Sequence, residues 1–262
     1  MTLRWPCESI WEAVAPLVPG FTVEVLEQVD STNSELMRRA RAGRLEPVLL
    51  VTEHQTAGRG RLGRQWLSCD DERSQTALTF SVGLSLSPTD WSGLSLAVGV
   101  SVAQSLHPDL RLKWPNDIWL RDRKLAGILI ETASFGDVRY AVVGVGINIR
   151  ERQAQGLATP PAWLNELLPG IDAPQTLLKV APALVQALQV FEIHGFSPFK
   201  TRFNERDALG GLAVTLSDGQ SGIAQGVDGA GALLVHTAQG VKQVTSSEVS
   251  VRPLTGPSYE NL

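Results

Sequence analysis

A chain of 262 residues that is 43% hydrophobic can bury a sizeable core and has the size of one large or two modest domains. Its net charge of −4 argues against a nonspecific polyanion binder, whose overall balance would be basic. Cys7 and Cys69 share no metal-ligand spacing, the N-terminus lacks the basic flank, apolar core and cleavage site of a secretion signal, and no apolar run reaches the roughly 18 residues of a membrane span, so a soluble protein of a reducing cytoplasm is expected.

Residues 21–29 alternate as a half-buried strand, and Thr32-Asn33-Ser34-Glu35 is a capping-box signature opening a helix to about Gly43. The default role of Thr32 is therefore a cap. Residues 48–51 read as a buried strand and 76–86 as another, with a glycine- and arginine-rich loop slung between them. Residues 90–106 carry helical spacing with Asp90 near the start, short strands follow at 111–114 and 118–120, and longer ones at 124–132 and 138–149. Pro160-Pro161 marks a boundary, after which 174–194 and 197–209 read as helices, with Pro182 starting or kinking the first. From Gly210 short apolar strands alternate with Ser-Asp-Gly, Asp-Gly-Ala-Gly and Ala-Gln-Gly turns, the pattern of a small antiparallel barrel or sheet. The expected division is 1–209 and 210–262.

The loop Gly58-Arg59-Gly60-Arg61-Leu62-Gly63-Arg64-Gln65-Trp66 concentrates three guanidinium groups and three glycines on a segment ending in an indole. Glycine lets backbone approach a ligand, arginine forks onto carboxylate or phosphate, and tryptophan offers a stacking face, which suits an anionic, ring-bearing ligand. A solvated basic turn, or a grip on nucleic-acid phosphates, would use the same residues. Lys113-Trp114-Pro115-Asn116-Asp117 places a cation, an amide and a carboxylate around a turn, and is equally a plain Pro-Asn turn between strands. Lys124 opens the apolar strand Leu125-Ala126-Gly127-Ile128-Leu129-Ile130-Glu131, where a lone lysine is commonly just solvated. Gly144-Val145-Gly146-Ile147-Asn148 spaces two glycines along a buried strand, permitting close approach of a ligand or another backbone; without a third glycine and a helix start it is no dinucleotide fingerprint. His54, His107, His194 and His236 are scattered with no ligand spacing.

The order Ser31-Thr32-Asn33, Gln55, Gly-Arg-Gly-Arg-x-Gly-Arg-x-Trp, Lys-Trp-Pro-Asn-Asp, Lys-Leu-Ala-Gly-Ile-Leu and Gly-Val-Gly-Ile-Asn resembles the biotin protein ligases from about Phe21 to Pro253. The resemblance implies an α+β fold: a mixed sheet with helices on one side, followed by a small SH3-like β-barrel. It implies an ATP-dependent ligase that makes biotinyl-5′-AMP and passes biotin to a lysine of the biotin carboxyl carrier protein of acetyl-CoA carboxylase, with Mg²⁺ assisting. By the same resemblance Ser31, Thr32, Asn33 and Gln55 hold the ureido ring, while Arg59, Gly60 and Arg61 meet the biotin carboxylate and the phosphates. Trp66 stands by the adenine, with Arg64 also in the nucleotide site; Lys124 contacts the activated carboxyl and α-phosphate, and Asn148 reads the purine. Lys113, Asn116 and Asp117 line the same centre, Asp117 orienting the incoming amine or the metal, whose ligands are left open. No specific DNA or membrane contact is implied, and a homodimer is admitted.

Residues 68–75 are longer and more acidic than the link usual after the tryptophan. Only about 20 residues precede the first strand, too few for the helix-turn-helix domain of repressor members, so a monofunctional enzyme is expected, with Trp5, Cys7 and Trp11 capping the core. A lipoate protein ligase would share the fold and the adenylate chemistry, and a nucleic-acid-binding regulator would use the arginine loop on phosphates.

Overall fold

A computed structural model describes residues 3–66, 76–151, 161–216, 218–245 and 251–253. The expectations for residues 68–75, Cys69 and Pro160 fall outside them. The opening segment forms helix α1 (Cys7–Val14), whose Ile10 and Val14, one turn apart, enter the core. Trp5 packs on that core and donates from Nε1 to Glu53 Oε1 at 3.3 Å, whereas Trp11 is 49% exposed.

The main sheet is built from β1 (Thr22–Val29), β2 (Val48–Gln55), β3 (Ala77–Ser85), β4 (Arg111–Lys113), β5 (Asp117–Leu120), β6 (Arg123–Phe135) and β7 (Val138–Asn148). Its seven strands lie in the order β1-β2-β3-β7-β6-β5-β4, with β1 and β2 parallel and every other pair antiparallel. The parallel pair requires a crossover, supplied by helix α2 (Thr32–Arg41). Helices α3 (Leu94–Leu106) and α4 (Ala173–His194) pack together on one face.

Alternate residues of β2 and β7 enter different cores. Leu49, Val51, Val143 and Val145 join the cluster under α1, α3 and α4, while Val48, Leu50, Tyr140 and Val142 meet Leu36, Met37 and Ala40 of α2. Helices therefore cover both faces, against the one-sided expectation, and this is why those strands read as unbroken apolar runs. Burial of the Tyr140 hydroxyl beneath α2 pushes its pKa up to about 12.

Two helices differ from expectation. Asp90 accepts from Ser92 N at 2.9 Å in a turn, and α3 begins only after Gly93, whose φ of +79° leads into the helix and whose missing Cβ leaves room for Phe196. The expected helix over 197–209 shrinks to a 3₁₀ turn (Ser197–Phe199) and α5 (Lys200–Asn204), because the following backbone pairs with β4: Leu112 N donates to Arg206 O at 2.8 Å and Ala208 N to Leu112 O at 2.9 Å. Helix α4 starts on an Asp172–Gln175 capping box and contains Pro182 in its interior. By length and composition it could cross a membrane, yet Leu177, Val180, Leu184, Leu188 and Phe191 are buried in the core.

Strands β8 (Ala213–Leu216), β9 (Ser221–Val227), β10 (Leu233–Thr237), β11 (Gly240–Val244) and β12 (Val251–Pro253) form a second, antiparallel sheet in the order β11-β10-β9-β8-β12. The expected small barrel takes this form, with β11 and β12 as its two unpaired ends among the described residues.

Candidate functional site: a cleft beyond the first turn of α2

The face of β7 that carries Tyr140 and Val142 under α2 continues, past the N-terminus of that helix, as Gly144 and Gly146. Removing side chains there opens a cleft of about 170 Å³ on the sheet. What comes close to those glycines is protein: a Cβ on Gly144 would overlap the Asn33 amide, and one on Gly146 would overlap the Trp66 indole. Ser31, Thr32, Asn33, Gln55, Arg59, Gly60, Arg61, Arg64, Trp66, Lys113, Asn116, Asp117 and Lys124 all line the cleft.

At one end lies a cluster of polar side chains. Ser31, rather than Thr32, caps α2, its Oγ accepting from Ser34 N at 3.4 Å. Thr32 is freed for the cleft and donates to Gln55 Oε1 from its backbone N (2.8 Å) and from Oγ1 (3.1 Å). Asn33 Nδ2 donates to Leu129 O at 3.2 Å and Glu131 Oε2 at 3.0 Å, which turns its Oδ1 toward Ser81. The Ser81 hydroxyl lies 2.7 Å from Thr32 Oγ1 and 2.6 Å from Asn33 Oδ1. Two hydroxyl protons serve three oxygen–oxygen contacts, so the cluster has more acceptors than donors. A ligand bringing N–H groups would satisfy it.

The other end is cationic. Arg59, Arg61, Arg64, Lys113 and Lys124 line the cleft together with the Asp117 carboxylate. The arginine loop is a tight hairpin, with Gly60 N donating to Arg64 O at 2.7 Å and Trp66 N to Gly58 O at 2.9 Å; its tip is turned by Leu62 (φ 55°) and Gly63 (φ 71°). Arg59 reaches Glu131 at 2.6 Å, and Arg61 donates to Asn116 Oδ1 at 3.3 Å. Burial pulls the Arg61 pKa below its ordinary value, the Asp117 charge opposing that and Arg64 adding to it. Lys124 pairs with Asp117 at 2.7 Å and stands 5.8 Å from the centre of the Trp66 ring. Lys113 stands over the ring of Trp119 at 5.0 Å.

Asn148 is the one predicted residue outside the lining. It is 2% exposed, and its Nδ2 donates to Lys124 O at 3.3 Å and Ala162 O at 3.0 Å, so in this structure it holds the backbone of Lys124. Ser81 and Glu131 were not singled out from sequence. The available signal for Ser81 was a hydroxyl in the middle of a mostly apolar strand that also carries Thr79, and for Glu131 a carboxylate following the apolar run 125–130. Among the described residues no three His, Cys, Asp or Glu side chains gather as a metal site.

The sequence and the fold that carry this cleft find counterparts in known proteins. The model of the Biotin/lipoate A/B protein ligase family matches residues 25–148, and that of the Biotin protein ligase C terminal domain residues 210–252. The Bifunctional ligase/repressor BirA of Escherichia coli is 35% identical over 89% of this chain and 75% of its own. The Biotin--[acetyl-CoA-carboxylase] ligase of Mycobacterium tuberculosis is 33% identical over 87% of this chain and 88% of its own. Biotin protein ligase from Aquifex aeolicus, solved in complex with biotin and ATP, is 30% identical and superposes with a TM-score of 0.74 over 88% of this chain and 98% of that one. With identities of this size along most of its length, the chain belongs to the biotin protein ligase family.

Proposed function

We propose that this chain joins biotin to ATP in the cleft and transfers the biotinyl group to one lysine of a biotin carboxyl carrier protein. The observation that carries the reading is the polarity of the cleft, with an acceptor-rich end at Ser31, Thr32, Asn33 and Gln55 and a cationic end at Arg59, Arg61, Arg64 and Lys124. A ureido ring supplies N–H donors for the first, and a carboxylate beside a triphosphate supplies anions for the second. A lipoate dithiolane has no N–H to offer, which favours biotin.

Attack of the carboxylate on the α-phosphorus gives biotinyl-5′-AMP and releases pyrophosphate. The acceptor ε-amine then attacks the mixed anhydride carbonyl, loses a proton and expels AMP. Two like-charged reactants meet in the first step, so the work of Arg59, Arg61 and Lys124 is to neutralise and orient them. Trp66, laid over Gly146, offers its ring as the adenine wall. Mg²⁺, when bound with the triphosphate, offsets phosphate charge. One carboxylate, Asp117, beside the Asn116 amide suits a cation that arrives on phosphates rather than an all-protein cage. Asp117 also accepts the acceptor lysine's approach in the second step. Residues 1–209 form the catalytic unit in this reading and 210–262 a C-terminal one, in a cytoplasmic enzyme that makes no specific DNA contact.

Incubation of a carrier domain with this chain, ATP, Mg²⁺ and biotin should raise the carrier's mass by one biotinyl group at one lysine. A carrier that gains lipoate and not biotin would overturn the reading.

A further inference from the structure

The cleft-lining segment 113–117 is anchored from both sides. On one side it is tied to β6: Asn116 O accepts from Ile128 N at 3.0 Å, Asn116 Nδ2 donates to Ile128 O at 3.0 Å, and Asp117 pairs with Lys124. On the other it is held by the chain's C-terminal part. Leu112 exchanges backbone bonds with Arg206 and Ala208. Trp114, 1% exposed, donates from its indole Nε1 to Gly231 O at 3.1 Å across 117 residues of sequence. Leu112 in β4 and Trp114, the first residue of the turn that follows it, are both buried toward this grip, while Lys113 between them lines the cleft.

Gly231 lies in the turn between β9 and β10, and Asp228 builds that turn. Its Oδ1 accepts from Ala230 N and Ala232 N, both at 2.9 Å, and its backbone N donates to Ala232 O at 3.0 Å. Gly231 itself has φ +83°, and a Cβ there would stand 2.8 Å from Gly93 Cα and 3.1 Å from Leu96. The turn therefore seats backbone against backbone at the start of α3, aiming one carbonyl at Trp114. We infer that the Asp228–Gly231 turn of the C-terminal sheet is a positioning element for adenylate formation, acting through Trp114 on Lys113, Asn116 and Asp117. A catalytic cation or carboxylate must be held in place before the reactants meet, and a turn locked by its own side chain is a rigid support for that.

The inference rests on the reading of the cleft as the adenylate-forming centre, so the test runs on the full chain with the parent as its control. Single-turnover formation of biotinyl-5′-AMP, biotin affinity and melting temperature are measured for Trp114→Phe, Asp228→Ala and Asp228→Asn. Phe keeps the packing and loses the N–H; Asn keeps the Oδ1 acceptor. Adenylate formation should slow about 10-fold in Trp114→Phe and Asp228→Ala, as for loss of a buried hydrogen bond. Biotin affinity should stay within about 2-fold, since its ring would sit at the far end of the cleft, and Asp228→Asn should recover a near-parental rate. A parent that makes no adenylate sinks the functional reading. Given an active parent, three results overturn the positioning role: parental rates in both Trp114→Phe and Asp228→Ala, an Asp228→Asn protein as slow as Asp228→Ala, or a loss of rate matched by equal losses of biotin affinity and melting temperature.

Discussion

Lys124 stands where the two charges of the proposed reaction would meet, beside Asp117 and in front of the Trp66 ring. Replacing it with alanine should slow pyrophosphate release by about 10²- to 10³-fold, the usual cost of one preorganised charge-stabilising group. Lys113→Arg should cost far less, because an arginine over Trp119 keeps both the charge and the ring contact. Pyrophosphate release by Lys124→Ala within a few-fold of the parent would refute the role. Both lysines were legible from sequence as cations beside turns, but nothing local said which one faces the carboxylate. Thr32 shows the same limit: a capping signature was plain at 31–35, yet it is Ser31 that caps, and only contact with Gln55 and Ser81 shows what Thr32 does instead.

Strand β7 divides the cleft, and its two glycines serve different ends of it. Neither has a positive φ; what each lacks is a Cβ that would strike Asn33 from Gly144 or the Trp66 indole from Gly146. Gly146→Ala should push Trp66 and the arginine hairpin off the sheet and weaken ATP-analogue binding, leaving biotin binding less affected. Gly144→Ala should do the reverse by displacing the Asn33 amide. Overpacking of about 1–3 kcal/mol corresponds to roughly 5- to 150-fold in affinity for the end that is hit. Calorimetric titration of each variant with each ligand checks the pairing, and equal losses for both ligands in both variants would contradict it. The sequence announced that something approaches this strand closely; that the visitors are Trp66 and Asn33, far apart along the chain, is a result of the order in which β2, β3, β7 and β6 pair.

At the scale of the molecule, the segment joining the two sheets carries a half-buried acid. Asp207 Oδ1 accepts from Leu209 N at 2.9 Å, and burial raises its pKa above the ordinary 3.8 against the lowering pull of the backbone N–H groups of Leu209 and Gly210. The folded state thus holds this proton to higher pH than the unfolded chain, and its contribution to stability is lost as pH rises from about the unfolded value through the folded one. Asp207→Asn keeps the acceptor for Leu209 and removes the buried charge. It should melt higher than the parent at neutral pH, with the margin shrinking as pH falls toward 4 and below. A margin that stays constant across that range, or a lower melting temperature at neutral pH, would show that the charge is not what burial penalises there.

The sequence by itself determined the succession of strands and helices through the sheet, the turn-rich second unit and the order of its polar motifs. Those features are written in the period of apolar residues and in glycine, proline and capping residues, which act over a few neighbours. It also carried enough motif order to resemble one family. Four features were decided only by tertiary structure: α2 on the face opposite α3 and α4, the shortened helix before β8, Ser81 and Glu131 as partners of the cleft residues Asn33 and Arg59, and the grip of the β9–β10 turn on Trp114. Each depends on partners brought together by strand pairing across tens of residues. A hydrogen bond of that kind leaves no mark on the spacing of either partner, because its geometry exists only once the sheets have formed.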